Sequence, residues 1–211
     1  MKRLLLFIST LLCANVLMAQ TTFWIDSLQY EVTSTNPAEV KVNDANDSIT
    51  IANIPSIVTY NETTYSVTAI GASAFYGCYS LEEVYLPNSI TTIENNAFQN
   101  CTKLEEINIP DSVTSIGNNA FDKCNKLSSI TLSNTLASLG SNVFLNCSRL
   151  TSIVIPNSVT SISSQAFYNC KALTSVTLPE NATIAINAFD NAGKRDTING
   201  VVYTGNDTIS V

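Results

Sequence analysis

The chain has 211 residues, 45 % of them apolar and only 13 % charged, with a net charge of −7 and no histidine. The absence of histidine removes His-based triads, His proton shuttles and most zinc and haem sites. A pI near 4.4 argues against binding to nucleic-acid phosphates.

The first element is a targeting segment, residues 1–19. Lys2 and Arg3 form a basic start, Leu4 to Leu12 an apolar run, and Ala19 a small residue before the cleavage point. That pattern reads as a secretory signal peptide, too short to span a bilayer. Cys13 would suit a lipid anchor, but Leu12 stands where a small residue is wanted. No later stretch is long and apolar enough for a transmembrane helix.

Residues 20–66 are rich in Thr, Asn and β-branched side chains and read as an N-terminal β cap. Short strand patterns fall at Phe23–Ile25, Leu28–Val32, Val40–Val42 and Ile49–Ile51. Ile57 to Tyr60 and Tyr65 to Ile70 flank Asn61-Glu62-Thr63-Thr64, a hairpin pattern. The cap is expected to merge into the first repeat, because Val67, Ile70, Phe75 and Cys78 already follow the phase of what comes next.

Residues 67–192 are a repeat array. Leu81, Leu104, Leu127, Leu150 and Leu173 recur every 23 residues. Phe75, Phe98, Phe121, Phe144 and Phe167 keep the same period, and so do Cys78, Cys101, Cys124, Cys147 and Cys170. The shared pattern is L-x-x-[IV]-x-[IL]-P-x-[ST]-[VIL]-x-x-[IL]-x-x-x-[AV]-F-x-x-C-x-x. With the leucine as position 1, positions 1, 4, 6, 10, 13, 18 and 21 point inward. Proline at position 7 has no N–H for a ladder and ends the first strand. Ser89, Ser112, Thr135 and Ser158 at position 9 can satisfy backbone groups at the corner. The third repeat has Ser133 in place of proline. One such coil buries too little to order itself, so stability is collective.

The repeated cysteines stack in one column, with parallel Cβ vectors, an odd count and no C-x-x-C spacing. Buried, unpaired thiols are expected rather than disulfides or a metal site. Six N-x-[ST] triplets, including Asn61, Asn100 and Asn146, reflect the abundance of these residues. Asp-[ST]-aliphatic triplets recur at Ser27, Ser48, Ser112, Thr197 and Thr208, and resemble an O-glycosylation acceptor of some periplasmic systems.

Residues 193–211 show a second hairpin pattern, 200–204 and 208–211 around Gly205-Asn206-Asp207. Either this hairpin caps the array, or the sequence is a piece of a longer one.

The stretch from Leu104 to Gly117, followed by Ala120-Phe121 and Cys124, resembles the BspA-like leucine-rich repeat family of bacterial secreted and surface proteins. Tyr65 to Gly71 resembles that family's first repeat. The resemblance implies a solenoid exposed outside the cytoplasm and associated with adhesion and protein binding.

An enzyme would need catalytic residues that break the repeat symmetry, and none is visible; no cofactor is implied. The choice lies between a binding module and a passive spacer. A spacer would carry an even surface, whereas this one is biased. Positions 2, 3 and 5 face outward. They read Glu82-Glu83 and Tyr85, then Glu105-Glu106 and Asn108, and from the third coil onward only Ser, Thr and Val. The expected partner is a protein with a basic segment, held by these carboxylates with Tyr85 and Tyr79 as aromatic anchors. On this reading, Glu82→Lys together with Glu105→Lys abolishes binding and leaves the fold intact.

Overall fold

A computed structural model describes residues 21–193 and the backbone of 209–210. The signal segment, and the hairpin apart from those two residues, lie outside the described residues. Strands and tight turns make up the regular structure, and there is no helix among the described residues.

The cap begins with β1 (Thr22–Ile25), β2 (Leu28–Thr35) and β3 (Ala38–Ala45), an antiparallel meander. Alternation puts Phe23, Leu28, Tyr30, Val40 and Val42 inside. Phe23 stacks flat on Tyr60, with ring centroids 4.2 Å apart, and lies 5.7 Å from Tyr30. This aromatic cluster ties the meander to the hairpin of β5 (Ile57–Tyr60) and β6 (Thr63–Ile70), which β4 (Ile51–Asn53) precedes. The hairpin turn is tighter than the sequence pattern suggested. Asn61 and Glu62 alone make it, both at positive φ (46° and 62°). That geometry matches the twist of the flanking strands, so Thr63 and Thr64 join the ladder.

Each later coil contributes one strand to each of two sheets. The first sheet takes β7 (Glu83–Tyr85), β9 (Glu106–Asn108), β11 (Ser129–Thr131), β13 (Ser152–Val154) and β15 (Ser175–Thr177). The second takes β8 (Thr92–Ile93), β10 (Ser115–Ile116), β12 (Ser138–Leu139), β14 (Ser161–Ile162) and β16 (Thr183–Ile184). Pairing within the array is parallel, as stacked coils of one hand require. The second sheet runs unbroken from the cap, because β3 pairs with β6 and β6 with β8. At the far end β17 (Ile209–Ser210) pairs antiparallel with β16. In the first sheet the ladder stops between β11 and β13, in the coil where Ser133 replaces proline.

The first coil starts earlier than the leucine period shows. β4 pairs in parallel with β7, placing Ile51 opposite Glu83 and Asn53 opposite Tyr85. Ile49, Ala52, Ile54 and Pro55 therefore occupy positions 1, 4, 6 and 7. The β5–β6 hairpin is an insertion at the corner of this coil, closed by the Val67 N–H donating to Ser56 O at 2.9 Å.

The core is one continuous column. Phe75, Phe98, Phe121, Phe144 and Phe167 are fully buried and stack with centroids 5.1 to 5.5 Å apart. The five repeat cysteines are free and buried. Cys101, Cys124, Cys147 and Cys170 each donate their thiol proton to the carbonyl of the phenylalanine 26 residues earlier, at 3.1–3.2 Å.

The abundance of asparagine has a backbone cause. Asn96, Asn119 and Asn142 share one left-handed column, and Asn100, Asn146, Asn169 and Asn191 another, with φ between 54° and 65°. Asparagine tolerates that region better than other residues with a Cβ. Their amides also link coils: Asn142 Nδ2 donates to Asn119 Oδ1 at 3.0 Å, and Asn169 Nδ2 to Asn146 Oδ1 at 2.7 Å.

The corner hydroxyls behave differently from expectation. Ser89, Ser112 and Ser158 Oγ are covered but have no hydrogen-bond partner. Only Thr135 Oγ1 reaches acceptors, Asp111 O at 2.7 Å and Val113 O at 3.1 Å. Its neighbour Ser133 adds a contact at 2.9 Å that proline could not make. The serine corner is therefore held by packing, not by its hydroxyl.

Candidate functional site

The outward face of the first sheet carries four of the sequence-predicted site residues, Glu83, Tyr85, Glu106 and Asn108. Alternation on a strand of three residues leaves the middle one buried and its neighbours exposed. Accordingly Glu83 and Tyr85 flank Val84, and Glu106 and Asn108 flank Ile107. Glu82 and Glu105 lie one residue earlier and are also exposed. Tyr85 is 56 % and Tyr79 61 % accessible. Tyr79 sits on the turn before Leu81, not on the strand itself.

The four carboxylates divide into two kinds. Lys103 Nζ lies 3.6 Å from Glu82 Oε1, and Lys126 Nζ 3.0 Å from Glu105 Oε1. Each position-2 carboxylate is thus paired with the lysine that stands just before the next coil's leucine. Glu83 and Glu106 have no ion-pair partner among the described residues, yet they face each other in register across β7 and β9. Tyr85 Oη donates to Glu83 Oε2 at 2.6 Å. That bond, and then the charge of Glu83, hold the Tyr85 hydroxyl above its ordinary pKa. The phenol is therefore committed as a donor, and its ring remains exposed.

Like charges directly across neighbouring strands cost up to about 1 kcal/mol. Glu106→Gln is therefore expected to raise the unfolding free energy by that order at low ionic strength, read as a higher urea midpoint. The gain should vanish in high salt, where exposed charges are screened. Unchanged stability at low salt would show that the two carboxylates do not repel.

Two features of this face were not identified from the leucine period. Ile51, 47 % exposed, borders the acidic pair on the cap side as the register partner of Glu83. The signal was present: Ile49-Thr50-Ile51-Ala52-Asn53-Ile54-Pro55 fits the first half of the repeat, but the inserted hairpin displaces its second half. The other feature is an open hollow of about 430 Å³ at the corner of the next coils, lined by Leu86, Asn88, Asn108, Pro110, Asp111 and Asn134 among others. Asn108 belongs to both the hollow and the sheet face. Asp111 is already engaged, accepting from Asn134 N at 2.8 Å.

Beyond β9 the face is neutral. Ser129, Thr131, Ser152, Ser175 and Thr177 are exposed, and Val154 is 64 % accessible. No cluster of three or more His, Cys, Asp or Glu side chains with metal-binding geometry occurs among the described residues. No helix among them is long and apolar enough to cross a membrane.

Two parallel sheets, a 23-residue coil and a buried Leu/Phe/Cys column define a leucine-rich repeat solenoid. Residues 68–194 match the BspA type leucine rich repeat region in six copies. The chain belongs to that family, whose fold suggests a protein-interaction module and is typically non-enzymatic. A leucine-rich repeat protein from Bacteroides ovatus is 40 % identical, with a TM-score of 0.69, over 75 % of this chain and 41 % of that one. The T. pallidum leucine rich repeat protein is 22 % identical, with a TM-score of 0.67, over 81 % of this chain and 89 % of that one. One from Eubacterium ventriosum is 21 % identical, with a TM-score of 0.69, over 86 % and 47 %. The last two speak to the fold alone. This chain spans under half the length of the Bacteroides ovatus and Eubacterium ventriosum proteins. No curated protein matches it significantly.

Proposed function

We propose that this chain is an extracytoplasmic protein-binding module, serving adhesion or contact with a host or envelope protein. Its docking face is the acidic part of the first sheet. Glu83 and Glu106 supply unneutralised charge for a Lys- or Arg-rich segment of the partner, with Glu82 and Glu105 beside them. Tyr85, Tyr79 and Asn108 supply aromatic and amide contacts. The signal-peptide pattern supports export.

The observation that carries this reading is the register of Glu83 against Glu106. A solubilising surface disperses its charges, whereas here two carboxylates are held side by side without a cation among the described residues and bordered by the exposed ring of Tyr85 and the side chain of Ile51. Such a pair is relieved when a cationic group docks between them. The lysines on Glu82 and Glu105 also redirect the mutational test, since reversing those two sets lysine against lysine. Glu83→Lys with Glu106→Lys is the cleaner change.

The test is fluorescence anisotropy with a short labelled peptide rich in Lys and Arg. The unaltered protein should bind it, and added salt should weaken binding. The Glu83→Lys/Glu106→Lys variant, with an unchanged circular dichroism spectrum, should lose binding. Equal affinity in the variant would refute the acidic face as the docking site.

A further inference from the structure

Five of the eight aspartates stand immediately before Ser or Thr followed by an aliphatic residue, a far larger share than the abundance of those residues produces. Turn chemistry alone would favour Asp-Ser, but it does not demand the aliphatic residue. Three of these triplets lie among the described residues, and the structure separates them.

In the triplet Asp26-Ser27-Leu28, Asp26 and Ser27 form the tight turn between β1 and β2, with Asp26 at φ 52°. Both are exposed, while Leu28 is buried. In Asp47-Ser48-Ile49 the acid and the serine are again exposed, and Ile49 packs against the core. Ser48 Oγ makes one bond, donating to Asn46 Oδ1 at 2.6 Å. The two turns are neighbours, because Asn46 N donates to Ser27 O at 2.9 Å. Asp111-Ser112-Val113 is the opposite case. Ser112 Oγ is sealed from solvent, and Asp111 is held by Asn134 N and Nδ2 at 2.8 and 3.4 Å.

We propose that Ser27 and Ser48 are paired acceptor sites for an O-linked glycan, and that Ser112 is not one. The donor class is a polyprenyl-diphosphate-linked oligosaccharide, which places the reaction outside the cytoplasm and makes this inference depend on export. The serine oxygen attacks the anomeric carbon, and a new C–O glycosidic bond forms. The bond from that carbon to the diphosphate breaks, the polyprenyl diphosphate leaves, and the serine proton passes to a base of the transferase. In both sites the aliphatic residue packs inward and the turn leaves the serine exposed. Thr50 O accepts from Glu82 N at 2.7 Å, so a glycan on Ser48 borders the cap end of the acidic face.

The test is site-resolved mass spectrometry of protein isolated from its own host. Tryptic cleavage after Lys41, Lys103 and Lys123 puts the three serines on three different peptides. The expected result is a sugar-containing adduct on the Ser27 and Ser48 peptides, lost from each in Ser27→Ala or Ser48→Ala, and a bare peptide from Leu104 to Lys123. A bare mass for either the Ser27 or the Ser48 peptide, in protein whose leader has been removed, overturns the proposal while leaving export intact. An adduct on Ser112 overturns it too, since accessibility would not be selecting the site. A retained leader overturns both this proposal and the export reading.

Discussion

Phe121→Ala is expected to lower the stability of the protein by about 3–5 kcal/mol, the cost of emptying a fully buried aromatic site. Phe121 lies in the middle of the column, 5.3 Å from Phe98 and 5.5 Å from Phe144. Its removal therefore opens two coil interfaces at once, in an architecture where each coil is stabilised only by its neighbours. Phe189 is the last phenylalanine of the column among the described residues, stacked on Phe167 at 4.8 Å and only partly buried. Phe189→Ala should cost distinctly less. Urea unfolding of the two variants checks both values. Equal losses would mean that the rings contribute as separate side chains and not as a stack.

Alkali should unfold the protein. Burial, the largest cause in every case, pushes Cys78 up to about 11 and Cys170 up to about 12, and raises Cys101, Cys124 and Cys147 as well. Tyr30 is pushed up to about 12 by burial and then by the charge of Asp26. The unfolded chain releases its thiol protons from about pH 8.5, while the folded chain keeps them. Above that pH, unfolding releases protons, so stability is intact below it and falls as pH rises towards the folded values. Each thiol contributes about 1.4 kcal/mol per pH unit, and the four of the inner coils together about 5. Against a total of roughly 5–15 kcal/mol, that is enough to unfold the chain within about one to three pH units. Urea midpoints measured from pH 8 upward should fall steeply, and Cys124→Ala should reduce the slope by one proton. A flat profile through pH 10.5 would show that the thiols ionise in place. Below pH 8 the repeat thiols of the native protein should resist thiol reagents, and denaturant should expose all five of them.

The repeat made most of the fold legible, because three residue types recur in one phase and each has a single physical role. Leucine and phenylalanine fill the column, and proline ends the strand. Cysteine fills the column and donates to a backbone carbonyl. What escaped the pattern did so for local reasons. β4 was read as cap because a hairpin splits its coil, although Ile49 to Pro55 carries the repeat residues. The corner serines were assigned hydrogen bonds on chemical type, but whether a carbonyl comes within reach depends on backbone placement that composition does not encode. On the acidic face, alternation alone placed Glu83, Tyr85, Glu106 and Asn108 outward. It could not show which carboxylates the lysines take. That depends on Lys103 and Lys126 standing just before the next coil's leucine, where their side chains reach back one coil.

That division of the carboxylates is the centre of the functional account, and NMR spectroscopy addresses it residue by residue. Isotope-labelled protein is titrated at low salt with the Lys- and Arg-rich peptide, and the perturbed amide signals are mapped. The account predicts shifts concentrated at 82–85 and 105–108, extending to Ile51, with the second sheet and the Ser/Thr face beyond β9 unmoved. Shifts centred on the second sheet, on the corner hollow around Asp111 and Asn134, or spread evenly over the surface would contradict it.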